Sequence, residues 1–293
     1  MKSTSIDTSG LKYLDNFSIP VYTSFGGEVR ARFIAERTER TIDWLGDLFD
    51  LPKIPPLFVL NSDDWGRIAL VPQYGLAHVN RTRIVMGQEQ SGLWGSVLKT
   101  VWPEISRTER ERLRSVYGKD LNLEPFTDLV ISHELTHLAD LPLWLDTATG
   151  DRGWGARSPR LLWVSELFAN IGLHGYIVER EPESQRALEA VFQVVGGTTP
   201  TKWPYHRLHD MYESVAAPGA DGINYVWFEF RTQILAKRLW EAKGATGFQQ
   251  IHRILHGPVL SDEEIFNALS EIDHTVADDI RHWALGDGEP FLP

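Results

Sequence analysis

The chain has 293 residues, a formal net charge of −11, eleven tryptophans and no cysteine. This acidic balance, without a run of basic residues, argues against nucleic acid or an anionic membrane as a partner. No stretch reaches the roughly eighteen consecutive apolar residues of a membrane span, and the first residues contain no apolar signal segment, so we expect a cytoplasmic protein. Without cysteine, any metal site must use histidine and carboxylate ligands.

The first part of the chain is typical of a mixed α/β lobe. After Gly27, apolar residues recur at helical spacing as far as Phe49, which predicts a packed helix with Val29 and Phe33 among its core positions. Further segments have the composition of two strands and an extended hairpin: 57–60, 67–71 and 74–86.

From about residue 106 the pattern becomes mainly helical, with a stretch rich in Gly and Asp at 145–159 that predicts a loop. Ser261 and Glu264 have the spacing of a capping box at the start of a late helix. We therefore expect an α+β fold. Residues 1–125 form an N-terminal α/β lobe with a small sheet and an edge strand, residues 126–293 form a mainly helical lobe, and a cleft lies between them.

The segment HELTH, residues 133–137, carries the clearest chemical signal. His133 and His137 are four residues apart on a predicted helix, so their imidazoles project from one face and can share an ion. Glu134 is rotated from His133 by about 100° on a helix, beside the ion rather than on it. From there it can take a proton from a water molecule at the metal, which is the role of a general base.

A catalytic zinc needs a third protein ligand and one open position. Glu166 is the candidate, because it follows His137 by 29 positions (166 minus 137) on a second, apolar predicted helix. A carboxylate on an apolar segment needs a partner, since burying an unpaired charge is costly. The sequence therefore predicts a zinc site formed by His133, His137 and Glu166.

HELTH followed by the Trp-x-x-Glu-x-x-Ala segment at 163–169 resembles the gluzincin zinc metallopeptidases, the superfamily of thermolysin and aminopeptidase N. The likeness extends from about Tyr74 to the C-terminus. It implies a zincin-like fold, a peptidase activity and Glu166 as third ligand. Residues 75–80 are similar to the exposed edge strand that pairs with substrate in that superfamily. His78 lies where aminopeptidases have a Glu that reads the substrate's amino terminus.

Two further roles follow from helical geometry or from the resemblance. Asn170 and Asp140 can accept the second N–H of the metal-bound imidazoles. Tyr225 resembles the Tyr at a helix start in aminopeptidase-like gluzincins and is the expected donor to the oxyanion. His209 and His206 are rivals, because thermolysin-like enzymes use a His there.

We therefore expect a zinc-dependent hydrolase, a metallopeptidase that cleaves a peptide or a small amide with Glu134 as general base. Two alternatives stay open. The first is a zinc or iron enzyme acting on a specialised small molecule, because two His and a carboxylate also suit non-haem iron. The second is a non-catalytic binding protein with a gluzincin fold.

Overall fold

A computed structural model describes residues 6–89, 92–140, 162–220, 222–258 and 260–286. The loop predicted at 145–159 lies outside these residues. Within them the chain has an α+β fold, with a small mixed sheet in the N-terminal part and helices in the C-terminal part. None of the described helices combines the length and apolar character needed to cross a membrane.

The strands are β1 Lys12–Leu14, β2 Val21–Thr23, β3 Leu57–Leu60, β4 His78–Val79 and β5 Ile84–Gly87. The helices are α1 Glu28–Gly46, α2 Ser62–Ile68, α3 Gly92–Val101, α4 Arg107–Tyr117, α5 Glu124–Thr127, α6 Val130–Asp140, α7 Leu162–Arg180, α8 Gln185–Gly196, α9 Glu213–Ala216, α10 Ile223–His256, α11 Asp262–Ser270 and α12 His274–Leu285. Three short 3-10 turns are Pro182–Ser184, Pro200–Lys202 and Leu208–Met211. The capping box predicted for Ser261 and Glu264 is confirmed at the start of α11.

The sheet has the order β1-β2-β3-β5-β4, which makes β4 an edge strand. β2, β3 and β5 are parallel, whereas β1 and β4 are antiparallel to their neighbours. The central strand β3 is buried on both faces: Leu57 and Val59 join the main core, and Phe58 and Leu60 pack with Trp65 on the opposite face. Such burial is typical of a parallel strand covered on both sides.

Two expectations for the N-terminal part are wrong. The strand predicted at 67–71 does not form, because the Asn61 side chain accepts a hydrogen bond from the Asp64 amide at 2.9 Å and begins α2 there. Val29 and Phe33 lie on the outer face of α1 and are 86% and 47% exposed. Helical spacing gave the right element but assigned these two side chains to the wrong face.

Helix α6 lies at the centre of the fold, in contact with α1, α7 and β4. Thr41 on α1 shares a hydrogen bond of 2.9 Å with Ser132 on α6. A Cβ added at Gly172 on α7 would lie 2.2 Å from Oγ1 of Thr136, so α6 and α7 approach closely because Gly172 has no side chain. The main core contains residues from both sides of the predicted boundary at 125/126, and the division into two lobes stays a prediction.

Candidate metal centre

The metal ligands predicted from the sequence converge between α6 and α7. His133 and His137 leave the same face of α6, one turn apart. Their Nε2 atoms lie 3.2 Å apart, and each lies 3.2 Å from Oε2 of Glu166 on α7. The three atoms therefore form a nearly equilateral triangle, and all three side chains are buried.

The outer ring nitrogens have their own partners. Nδ1 of His133 lies 3.1 Å from Oδ1 of Asn170. Nδ1 of His137 lies 3.4 Å from Oγ of Ser165 and 3.5 Å from Oδ2 of Asp140. Ser165 donates a hydrogen bond of 2.5 Å to the same Asp140 oxygen. An imidazole whose Nδ1–H donates to an oxygen has its lone pair on Nε2. Both Nε2 atoms therefore present lone pairs to each other and to the carboxylate.

This geometry fits a bound transition-metal ion. Ligand atoms about 2.0–2.1 Å from a tetrahedral zinc are separated from each other by about 3.3 Å. The observed separations of 3.2 Å agree with that value. Two imidazole nitrogens and one carboxylate oxygen are a donor set that suits zinc, and three protein ligands leave one position open for water or substrate.

The electrostatics of the triangle also favour a cation. Burial alone would lower the pKa of both histidines and raise the pKa of Glu166. Attraction and hydrogen bonding within the cluster outweigh burial: the pKa of His133 is raised, that of His137 is raised well above its usual value, and that of Glu166 is lowered. Positive charge is therefore stabilised at the centre of the cluster, where protons and a metal ion compete.

Glu134 lies beside the triangle rather than in it. Its side chain is buried on α6, and burial raises the pKa of its carboxyl. The charges of His133 and His137 oppose that rise, while the charge of Glu166 adds to it, so the carboxylate lies within electrostatic reach of all three ligands. A carboxyl whose pKa is raised is a better match to proton transfer near neutral pH than an ordinary one.

Tyr225 lies in the first turn of α10 (Ile223–His256), the helix start expected from the resemblance. Its hydroxyl and the Glu229 carboxyl lie close enough for each to shift the pKa of the other. Burial, followed by the charges of Glu166 and Glu229, raises the pKa of Tyr225 well above its usual value, and Glu134 adds to this effect. The phenol is therefore protonated and near the metal centre, which are the properties a donor to an oxyanion requires.

The rival imidazoles have other partners. Nε2 of His209 lies 3.4 Å from Oδ2 of Asp262, and its side chain is 37% exposed. Nδ1 of His206 donates to the carbonyl of Trp203 at 3.0 Å. No contact among the described residues joins either imidazole to the metal ligands, so a catalytic role for His209 stays a prediction.

His78 is held by the backbone on both sides of its ring. Nε2 accepts from the Leu70 amide at 3.0 Å, and Nδ1 donates to the Leu76 carbonyl at 3.0 Å. Burial lowers the pKa of His78 to about 4, so the ring is neutral. Both ring nitrogens are engaged, and His78 is therefore not available to bind a substrate amino terminus.

Comparison of the chain with protein-family models, with curated proteins and with solved structures finds no match. We therefore assign the site from its own geometry. That geometry adds two residues that the sequence interpretation missed, Ser165 and Glu229. The available signal was their spacing: Ser165 directly precedes Glu166, and Glu229 follows Tyr225 by one helical turn.

Proposed function

We propose that this protein is a zinc-dependent hydrolase that cleaves an amide bond in a peptide or a small molecule. One observation carries the proposal: three lone-pair atoms of His133, His137 and Glu166 lie 3.2 Å from one another, with the carboxylate of Glu134 beside them. Two His and a Glu hold the ion, and the adjacent Glu is free for proton transfer. This is the division of roles that metal-assisted hydrolysis requires.

A bound zinc ion would polarise the substrate carbonyl and lower the pKa of water. The protein's own groups move the protons. Glu134 takes a proton from the attacking water, and the same carboxyl then returns it to the leaving amine. Tyr225 donates a hydrogen bond to the carbonyl oxygen as negative charge develops on it, a contact that matters most in the transition state.

A small pocket beside α6 supports a substrate site on the face that carries Glu134. It lies between Ala77, next to the edge strand β4, and Val130, one turn before Glu134. Its lining consists of small and apolar residues together with Arg30, Glu89 and Thr127. A small pocket of mixed polarity one helical turn from the general base suits one small substituent of a substrate.

The same ligands also suit non-haem Fe(II), so the metal must be identified together with the reaction. The test is to purify the protein without chelators, measure its metal content, and assay a peptide library and a set of small amides with zinc or iron restored. We expect hydrolysis by the zinc form and none by the Glu134→Gln variant at equal metal content. Turnover that survives Glu134→Gln, or that requires iron and an oxidant, would contradict the proposal.

A further inference from the structure

Glu229 is a carboxylate that the scheme above does not use. It projects from α10 one turn after Tyr225, and its Oε2 accepts a hydrogen bond of 3.0 Å from Nδ2 of Asn170. Its Oε1 is buried and has no hydrogen-bond partner among the described residues. Burial and the charge of Glu166 both disfavour the ionised form of this carboxyl, and they raise its pKa to about 8.

The contacts around Asn170 fix which way its amide points. Its Nδ2 faces three acceptors: the Glu229 carbonyl at 3.3 Å, Oε2 of Glu229 at 3.0 Å and Oγ1 of Thr232 at 2.8 Å. Only the amino end of an amide can donate to such a group. The oxygen end, Oδ1, therefore faces His133, at 3.1 Å from Nδ1.

The amide orientation in turn fixes the tautomer of His133. With Oδ1 of Asn170 as acceptor, Nδ1 of His133 carries the proton and Nε2 keeps its lone pair for the metal. If the amide turned over, Nδ2 would face Nδ1, which would then have to accept. The proton of a neutral ring would move to Nε2, where it would block the metal.

We propose that Glu229 is a positioning residue for the metal centre, holding the Asn170 amide so that His133 presents its Nε2 lone pair to the ion. A carboxyl group suits this role, because its Oε2 offers lone pairs to the Nδ2–H of Asn170 and so holds the amino end of the amide on that side. This inference rests on the proposed metal site.

The test compares zinc affinities of the whole protein by competition with a chromophoric chelator. Glu229→Leu should weaken zinc binding by about 10- to 100-fold, the usual effect of losing such a partner. Glu229→Gln should lose less, because its amide oxygen can still accept from Asn170. Glu241→Gln is the matched control: Glu241 lies on the same helix, pairs with Lys237 and has a side chain that is 54% exposed, and its variant should bind zinc like the wild type.

An Asn170→Ala background decides whether Glu229 acts through Asn170. In that background Glu229→Leu should add little further loss of affinity. If Glu229→Leu lowers zinc affinity in the Asn170→Ala background as much as in the wild type, the inference is overturned. It is also overturned if Glu229→Leu and Glu229→Gln weaken zinc binding equally in the wild-type background. Either result would assign the effect to the charge of the carboxylate acting on the ion. Wild-type affinity for Glu229→Leu would also overturn it. If Glu229→Leu does not fold, Glu229→Gln takes its place in this test. Its smaller loss of zinc affinity should then disappear in the Asn170→Ala background, and a loss that persists there would overturn the inference.

A second measurement separates this inference from the proposed function. Nitrogen-15 NMR of labelled histidines in the metal-free protein at alkaline pH reports the tautomer of His133 directly. We expect the Nδ1–H form in the wild type and a mixture in Glu229→Leu, with His137 unchanged. If the wild type binds no metal, the proposed function fails and the tautomer comparison still decides the inference. Equal tautomer populations in both proteins would overturn it.

Discussion

The Nε2 atoms of His133 and His137 face each other at 3.2 Å, while their Nδ1 atoms point to different partners. Asn170 lies against Nδ1 of the first ring and Asp140 against Nδ1 of the second. Two lone pairs this close repel each other unless a proton or a metal ion lies between them. The packing around α6 therefore holds the rings in an arrangement that a shared proton or a metal ion stabilises.

Asp140 should matter to the metal without touching it. Asp140→Asn keeps the size of the side chain but removes the charge that faces Nδ1 of His137 and accepts from Ser165. We expect zinc affinity to fall by about 10- to 100-fold. Asp278→Asn, at a position whose side chain is 57% exposed, is the control and should leave affinity unchanged. If Asp140→Asn binds zinc as tightly as the control and the wild type, Asp140 does not orient His137.

Gly172 should couple helix packing to metal binding. In Gly172→Ala the new methyl group meets Thr136 at 2.2 Å, so α6 and α7 must separate. We expect a loss of about 1–3 kcal/mol in the free energy of unfolding, together with weaker zinc binding because Glu166 moves away from the histidines. Gly95→Ala is the control, because a Cβ there meets nothing within 4 Å. Lower stability with unchanged zinc affinity would show that the two helices relax without moving the ligands.

Much of the site could be predicted because it depends on residues that are close together in the sequence. Histidines four apart on a helix must share a face, and the positions of Glu166 and Tyr225 follow from the segments that resemble gluzincins. The strand at 57–60 and the late capping box are likewise local patterns, and both are confirmed.

The remaining features depend on contacts between distant parts of the chain. Glu229 contacts Asn170, which is 59 positions away in the sequence, and no periodic pattern of residues predicts such a contact. Val29 has the spacing of a core residue but lies on the solvent side, because the neighbours of α1 decide which face is buried. The edge strand has only two residues, His78–Val79, and the Leu76 carbonyl before it accepts a hydrogen bond from the His78 ring, a contact that no sequence pattern predicts.

Tyr225→Phe tests the donor to the oxyanion. The variant keeps the ring and its packing, so we expect kcat to fall by about 10²- to 10³-fold with little change in KM, zinc content or melting temperature. Tyr176→Phe is the control, since it removes a buried hydroxyl that donates to Glu181 at 2.6 Å at the far end of α7. That variant should lose stability and keep its kcat. A lower melting temperature with unchanged kcat in Tyr225→Phe would show that this hydroxyl stabilises the fold and takes no part in catalysis.

His78 should make the fold sensitive to acid. Its pKa is about 4 when folded, against 6.5 for a free histidine, because burial disfavours the charged ring. Between these values the unfolded chain binds more protons, so stability falls as pH drops from 6.5 to 4, by up to about 3 kcal/mol for this group. His78→Gln should therefore show a shallower decline in denaturant titrations across that range. His174, whose pKa burial also lowers to about 4, contributes equally in both proteins. Identical pH slopes would contradict this role for His78.

The central claim is tested most directly by calorimetric titration of zinc into the metal-free wild type, Glu166→Ala and Glu134→Gln. We expect about one zinc per wild-type chain, binding in Glu166→Ala that is weakened strongly by the loss of one of three protein ligands, and near wild-type binding in Glu134→Gln. This pattern would separate the ligand from the base. No zinc binding by the wild type, or equal losses in both variants, would contradict the assignment of the metal centre.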